Sequence, residues 1–250
     1  MSDLRICGLI PVYNNHQTIS AVIAQLLSQT GHVIVVDDGS DDGTAEILDR
    51  LQHENAHVDV VHLPENCGKG FALQTGLKRA QQEGFTHAVQ PDGDGQHNLD
   101  DVPTFLKHIH KTPDAFLIGA PIFGDDIPFI RKHGRKLTQL MLMLEMGSFS
   151  VPDGNCGFRA YPINAILGLG HMGHRMSFDP EVMVRAAWAG IPIKTIPTKV
   201  RYLSPEEGGI SHFRMVHDNV LHTWVHIRLL LQSPFRLLAR LLTGVKVRQQ

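Results

Sequence analysis

The chain of 250 residues holds three cysteines, Cys7, Cys67 and Cys156, an odd number scattered far apart. Without paired spacing they signal neither a disulfide framework nor a zinc site, and a reducing cytoplasm suits them best. Long apolar runs are missing as well. No uninterrupted stretch reaches the roughly 18 residues that cross a bilayer, and the apolar run in the opening "MSDLRICGLIPVYNN" is too short for a secretory signal. A surplus of positive charge is also lacking: 23 Lys and Arg against 25 Asp and Glu leave a formal charge of -2. No global footprint for a phosphate backbone exists, so nucleic acid is not an expected partner and any phosphate binding must be local. Apolar residues, at 42%, suffice for a substantial core. There is no internal repeat and no low-complexity tract.

The first half alternates strand-like and helix-like segments. "RICGLIPVY", "HVIVVDD", "VDVVHL" and "THAVQ" read as strands, and "TISAVIAQLLSQ", "GTAEILDRLQ" and "KGFALQTGLKRAQQEG" carry apolar residues at helical spacing. This βαβαβ pattern predicts an α/β fold, a mostly parallel sheet with helices on both faces. Ligands of such sheets bind beyond the carboxyl ends of the strands. Polar clusters stand at three of those ends: "PVYNN", "DDGSDDGT" and "DGDGQH". The second half is less regular, with "AFLIGAPI" a strand, "RKHGRKLTQLMLMLEM" and "PEVMVRAAWAG" helices, "DGNCGFRAYP" a strand or turn, and "IPIKTIPTKVRY" extended.

Asp92 and Asp94, in "QPDGDGQH", are the sharpest chemical signal. Carboxylates one residue apart repel and raise each other's pKa unless a cation is shared between them. Asp-Gly repeats also occur in plain surface turns. An EF-hand is excluded, because His97 and Pro103 stand where its loop needs Gly and Glu. Hard oxygen ligands at a strand end suit Mg²⁺ or Mn²⁺ completed by diphosphate oxygens. Asp37 and Asp38 follow an apolar strand; a carboxylate there can accept from a base N–H or a ribose hydroxyl, and Ser40 or Asp42 can cap the next helix. "NCGKGFAL", with Asn66 and Lys69, is a glycine-rich turn opening a helix and able to approach a phosphate. It matches neither a P-loop nor a dinucleotide fingerprint. His222 and His226 share a helical face, but no third ligand accompanies them in the sequence.

Taken in order, "PVYNN", "VVDDGSDDGT", "NCGKGFAL", "QPDGDGQH", "GNCGFRAYP", "FDPEVMVRAAWAGIPI" and "GGISHFR" resemble a family 2 glycosyltransferase of the GT-A fold over about residues 5 to 215. The resemblance is closest to the polyprenyl-phosphate, dolichol-phosphate mannose synthase-like branch. It implies a catalytic domain at 1–210, and the change of composition from about Ser211 marks a C-terminal amphipathic helical extension at 211–250. By the same resemblance, Pro11, Tyr13 and Asp38 contact the base and ribose of a nucleotide-diphospho-sugar donor. Asp92, Asp94 and Gln96 form the metal-centred Asp-x-Asp-x-Gln set, and Asp153, Phe158 and Arg159 match the branch's Asp-x-x-x-x-Phe-Arg pattern, which counts Arg159 among the residues that bind the nucleotide sugar. Arg131 and Arg135 resemble the acceptor-phosphate arginines with a spacing one residue shorter. In "GGISHFR", beside Ser211, His212 replaces the usual lysine and Arg214 offers the charge.

The resemblance implies an inverting, metal-dependent hexosyl transfer to a lipid-linked acceptor, by preference a polyprenyl phosphate, at the cytoplasmic membrane face. A phosphate monoester is already an anion near neutral pH and needs no base, whereas a hydroxyl must lose its proton during attack. Asp179, typically not acidic in phosphate-acceptor members, therefore leaves two readings, a general base for a hydroxyl acceptor or an N-cap ahead of Pro180. A nucleotidyltransferase and a non-catalytic sugar-nucleotide-binding module are the more distant alternatives. Residues 213–250 carry Arg214, Arg228, Arg236, Arg240, Lys246 and Arg248 against the single Asp218, interleaved with "VLHTWVHIRLLL" and "FRLLARLL". That pattern fits peripheral membrane contact, packing on the chain's own domain, or a homo-oligomer.

Overall fold

The computed structural model describes residues 3–122, 129–148, 154, 156–199 and 215–243, with the backbone alone described for 129–137, 215–219, 240, 241 and 243. Seven strands form one sheet: β1 (Ile6–Val12), β2 (Val33–Asp37), β3 (Val58–His62), β4 (His87–Gln90), β5 (Phe116–Ile122), β6 (Arg159–Pro162) and β7 (Ile193–Lys199). Their order is β3-β2-β1-β4-β6-β5-β7. All neighbours run parallel except β6, which is antiparallel to both β4 and β5. The expected mostly parallel α/β sheet is therefore present. β6, left open as strand or turn in the sequence, is the one reversed strand.

The parallel half explains its own composition. Every residue of β2, "VIVVD", is buried, as expected for a strand covered on both faces. A Cβ on Gly8 would meet Leu26 of helix α1 (Ile19–Thr30), and one on Gly76 of α3 (Lys69–Gln82) would meet Leu9 and Val36. Gly8 and Leu9 are consecutive on β1 and point to opposite faces, so α1 and α3 sandwich the strand. Pro11 is tolerated inside this central strand because pairing with β4 has ended at Gly8↔Val89.

Helix α2 (Thr44–Glu54) starts after Gly43, and no side chain caps it at that position. Asp42 does part of the expected work from one residue earlier, accepting from Thr44 N at 3.0 Å. Helix α4 (Val102–Lys111) had no counterpart in the sequence reading. It buries Val102, Phe105 and Ile109, and Pro103 sits in its first turn, where a missing N–H is harmless.

Helix α5 (Phe129–Met146), the short α6 (Ile163–Leu167), α7 (Phe178–Trp188) and α8 (Met215–Thr243) are the remaining helices among the described residues. Pro234 lies inside α8, where it removes the N–H due to Leu230 O; the Ser233 hydroxyl donates to that carbonyl instead, at 3.0 Å. Val225 and Leu229 of α8 are buried, and His226 Nδ1 lies 2.8 Å from Glu145 Oε1 of α5 in a buried pair. His226 thus has a carboxylate partner that the sequence did not reveal. Among the described residues no group of three or more His, Cys, Asp or Glu could hold a metal ion, and no helix is long and apolar enough to cross a membrane.

Candidate active site

The loops beyond β1 and β2 are locked together. Asn14 takes the left-handed conformation (φ 52°), which Asn tolerates better than most residues. Its backbone N–H donates to Ser40 Oγ at 3.0 Å, and its amide exchanges two bonds with Asp41, 2.7 Å to Oδ1 and 2.9 Å from the Asp41 N–H. Pro11 lies near the end of β1 and Tyr13 directly follows the strand, partly buried at the mouth.

Asp37 and Asp38 are both buried. Asp37 accepts from Ser40 N at 3.0 Å and lies 2.8 Å from His62 Nδ1. Asp38 accepts from the backbone N–H groups of Cys67 and Gly68, each at 2.8 Å. Burial raises the Asp38 carboxyl above its ordinary range, and those two amides oppose the rise. Asp38 therefore fixes the turn that opens α3. Gly68 adopts φ 97°, and a Cβ there would run into Arg175 Cγ at 2.6 Å. Arg175 Nη1 in turn reaches Asn66 Oδ1 at 3.4 Å.

Lys69 is the first residue of α3, and its Nζ lies 2.7 Å from Asp92 Oδ1 and 3.1 Å from Asp179 Oδ2. Burial disfavours its charge, but the two carboxylates prevail and hold the ammonium well above its ordinary range. The other Asp92 oxygen lies 3.0 Å from His97 Nε2, and Gln90 Nε2 donates to Oδ1 at 3.2 Å. Gln90 is itself oriented by Tyr161 OH, which donates to its Oε1 at 3.0 Å. Burial would push the Asp92 carboxyl up; Lys69 and His97 overcome this and hold it far below the usual carboxylate range. Asp94 differs. Burial and the neighbouring Asp92 charge push its carboxyl up, and the Gln96 backbone N–H donates to its Oδ1 at 3.0 Å.

Lys69 is thus a protein cation already shared with Asp92, while Asp94 carries the less compensated charge. Two carboxylates and the Gln96 amide are hard oxygen donors, and added positive charge would relieve the strain on Asp94, so these residues fit Mg²⁺ or Mn²⁺. Because among the described residues no three His, Cys, Asp or Glu converge, such an ion would draw part of its shell from Gln96 and from ligand oxygens.

Arg159 opens β6 and is opposite Gln90 in the sheet register. It is fully buried, and its guanidinium donates to Cys156 O, Asp179 O and Gly154 O, each at 2.8 Å. Its Nη1 also lies 3.3 Å from Asp179 Oδ1. With its donors spent inward, Arg159 acts on the site through Asp179. The helix-cap reading of Asp179 is overturned: α7 starts at Phe178 after Ser177, and Asp179 lies inside its first turn with its carboxylate between Lys69 and Arg159.

Four contributors escaped the sequence reading. Gln90, His97 and Tyr161 orient Asp92, and Gly157 leaves room for it, since a Cβ there would collide with both Asp92 oxygens. Their signal was adjacency alone: Gln90 and His97 flank the Asp pair, and Gly157 lies in "GNCGFR". Asp153, Ser211, His212 and Arg214 lie outside the described residues. Arg131 and Arg135 are four apart on α5, hence on one helical face; their side chains are not among those described.

The fold, together with the family match, defines a glycosyltransferase of the GT-A type. The family model "Glycosyl transferase family 2" matches residues 8–167. The chain is 28% identical over 221 residues to UDP-N-acetylglucosamine–dolichyl-phosphate N-acetylglucosaminyltransferase of Methanococcus voltae, covering 81% of this chain and 88% of that one. It is 24% identical over 239 residues to undecaprenyl-phosphate 4-deoxy-4-formamido-L-arabinose transferase of Yersinia pestis, covering 92% and 69%. Among solved structures, glucosyl-3-phosphoglycerate synthase from Mycobacterium tuberculosis, in complex with phosphoglyceric acid, superposes with a TM-score of 0.64 at 18% identity, covering 93% and 81%, a likeness of fold. The chain belongs to glycosyl transferase family 2, and the expected likeness to its polyprenyl-phosphate branch is borne out. That membership removes the nucleotidyltransferase and binding-module alternatives.

Proposed function

We propose that the protein transfers a hexose, with inversion, from a nucleotide-diphospho-sugar to a polyprenyl phosphate at the cytoplasmic face of a membrane. The observation that carries the choice of acceptor is the setting of Asp179. A general base for a hydroxyl needs a carboxylate that reaches the acceptor. Asp179 is 5% exposed, with one oxygen on Lys69 and the other facing Arg159. A phosphate acceptor needs no such base. It needs cations that position an anion, the part the resemblance assigns to Arg131 and Arg135. The two relatives named above, both transferases acting on polyprenyl phosphates by name, support the same choice.

In this reading the crevice between the β1 and β2 loops, with Pro11, Tyr13 and the Asp38-anchored turn, takes the base and ribose. Lys69, Asp92, Asp94 and Gln96 face the diphosphate. A divalent cation held by Asp92, Asp94 and Gln96 would neutralise charge on the departing nucleoside diphosphate. The acceptor phosphate attacks the anomeric carbon from the face opposite the leaving group, and no side chain takes up a proton. Ser211, His212 and Arg214 complete the donor side by resemblance.

In the same reading, peripheral membrane contact runs through residues 213–250. On α8, Val220, Trp224, Ile227, Leu231, Phe235 and Leu238 are spaced three or four apart, and all are exposed. Leu140 and Leu144 of α5 are exposed as well, on a helix that packs against α8. The interleaved arginines turn partly inward, Arg228 Nη2 to Glu181 Oε1 at 2.6 Å and Arg236 over the Trp188 ring at 6.0 Å. An apolar stripe of this length suits a lipid surface, where the acceptor resides. The test compares Arg131→Ala/Arg135→Ala with Asp179→Asn on a polyprenyl phosphate and on the corresponding neutral alcohol. The arginine pair should abolish transfer to the phosphate, and the alcohol should not react. Transfer confined to the alcohol and lost in Asp179→Asn would overturn the reading.

A further inference from the structure

Lys69 links two carboxylates that lie far apart in sequence, Asp92 after β4 and Asp179 on α7. The two ends are unlike. Asp179 is fixed: Arg159, fully buried with three carbonyl contacts, donates to the Asp179 backbone carbonyl and faces its Oδ1. Asp92 is one of the carboxylates the proposed function assigns to a divalent cation. A lysine ammonium is a compact charge on a flexible four-carbon stem, able to change partner without moving its backbone. Lys69 also stands at the N-terminus of α3 beside the turn set by Asp38, on the side where a diphosphate is expected.

We propose that Lys69 is the resident counter-ion of Asp92 in the empty enzyme and is displaced by the divalent cation. Asp179, braced by Arg159, then keeps the ammonium tethered at the site edge, facing the diphosphate oxygens. Asp179 is on this account a positioning residue, neither base nor cap. The exchange rests on the assignment of Asp92 and Asp94 to a cation, and it explains how the two carboxylates coexist before one arrives. It predicts competition: whatever removes the ammonium should tighten metal binding, although it also removes a contact to the donor.

The experiment titrates Mn²⁺ alone into the full chain, reading free Mn²⁺ by electron paramagnetic resonance, with circular dichroism confirming that each variant is folded. Lys69→Met should bind Mn²⁺ at least tenfold more tightly than wild type, and Lys69→Arg, which keeps the charge, should stay within about threefold of it. Asp179→Asn should weaken Mn²⁺ binding about fivefold when Lys69 is present, because the ammonium falls back wholly on Asp92. In the Lys69→Met background the same change should cost twofold or less, a coupling that a double-mutant cycle isolates. Unchanged or weaker binding by Lys69→Met overturns the exchange, and equal losses from Asp179→Asn in both backgrounds overturn the tether. Mn²⁺ binding that survives Asp94→Ala in wild-type and Lys69→Met chains alike would instead overturn the metal assignment beneath them.

Discussion

Replacing Arg159 by Met tests whether this buried guanidinium is a structural brace. The side chain is fully buried, and its donors satisfy three backbone carbonyls at 2.8 Å while Nη1 faces Asp179 at 3.3 Å. Methionine restores much of the volume and none of the donors. The variant strands those carbonyls and leaves Asp179 with Lys69 as its remaining cation. Removing one partner of a buried ion pair costs about 3–5 kcal/mol, a large share of the roughly 5–15 kcal/mol that stabilises a typical domain. At about 2–4 °C per kcal/mol for a chain of this size, the melting temperature should fall by roughly 6–20 °C. Calorimetry and urea unfolding, in the absence of ligand, measure it directly. Asp179→Asn should cost less, because its backbone carbonyl still accepts from Arg159. A loss for Arg159→Met under about 1 kcal/mol would refute the brace and return Arg159 to the pool of ligand contacts.

Three further outcomes follow from the same geometry. Gly157→Ala should push the Asp92 carboxylate off Lys69 and His97 and lower kcat on the order of 10²-fold, since small misplacements cost that much; turnover at the wild-type rate would show that the Asp92 position is not needed. Asp38→Ala removes the acceptor of two buried N–H groups, each bond to a charged acceptor contributing about 1.5–3 kcal/mol. Nucleotide affinity and melting temperature should therefore fall together, and a drop in affinity alone would mark Asp38 as a ligand contact only. Burial pushes His87 below its ordinary 6.5, against the Pro113 carbonyl that Nε2 approaches at 2.7 Å. The folded state then binds fewer protons than the unfolded chain, so stability is intact above 6.5 and is lost as pH falls from there through the lower folded value. His87→Gln, which keeps a donor, should flatten the melting temperature against pH in that window, and an unchanged slope would assign the acid sensitivity elsewhere.

Much of the frame around the candidate site was legible in the residues themselves, for a local reason. Strand periodicity, the glycines of "DDGSDDGT" and "NCGKGFAL", and carboxylates placed directly after "THAVQ" depend on neighbours a few positions away, so the parallel half and its three loops could be read in order. What escaped depends on groups brought together from distant parts of the chain. That Asp179 lies within the first turn of α7, with its carboxylate between Lys69 and Arg159, was decided by the packing of α7 against α3 and β6. The same packing completed the contacts of Arg159: the Gly154 and Cys156 carbonyls lie a few residues before it, whereas the Asp179 carbonyl and carboxylate reach it only through the placement of α7. The amphipathic pattern of α8 was visible, but its orientation was not: the pairing of Arg228 with Glu181 and of His226 with Glu145 turns Trp224 and Leu231 outward. Local spacing determines which side chains share a face, whereas the direction of that face and the partner of a buried charge are settled by desolvation, which forces each charge to find its opposite wherever the fold supplies one.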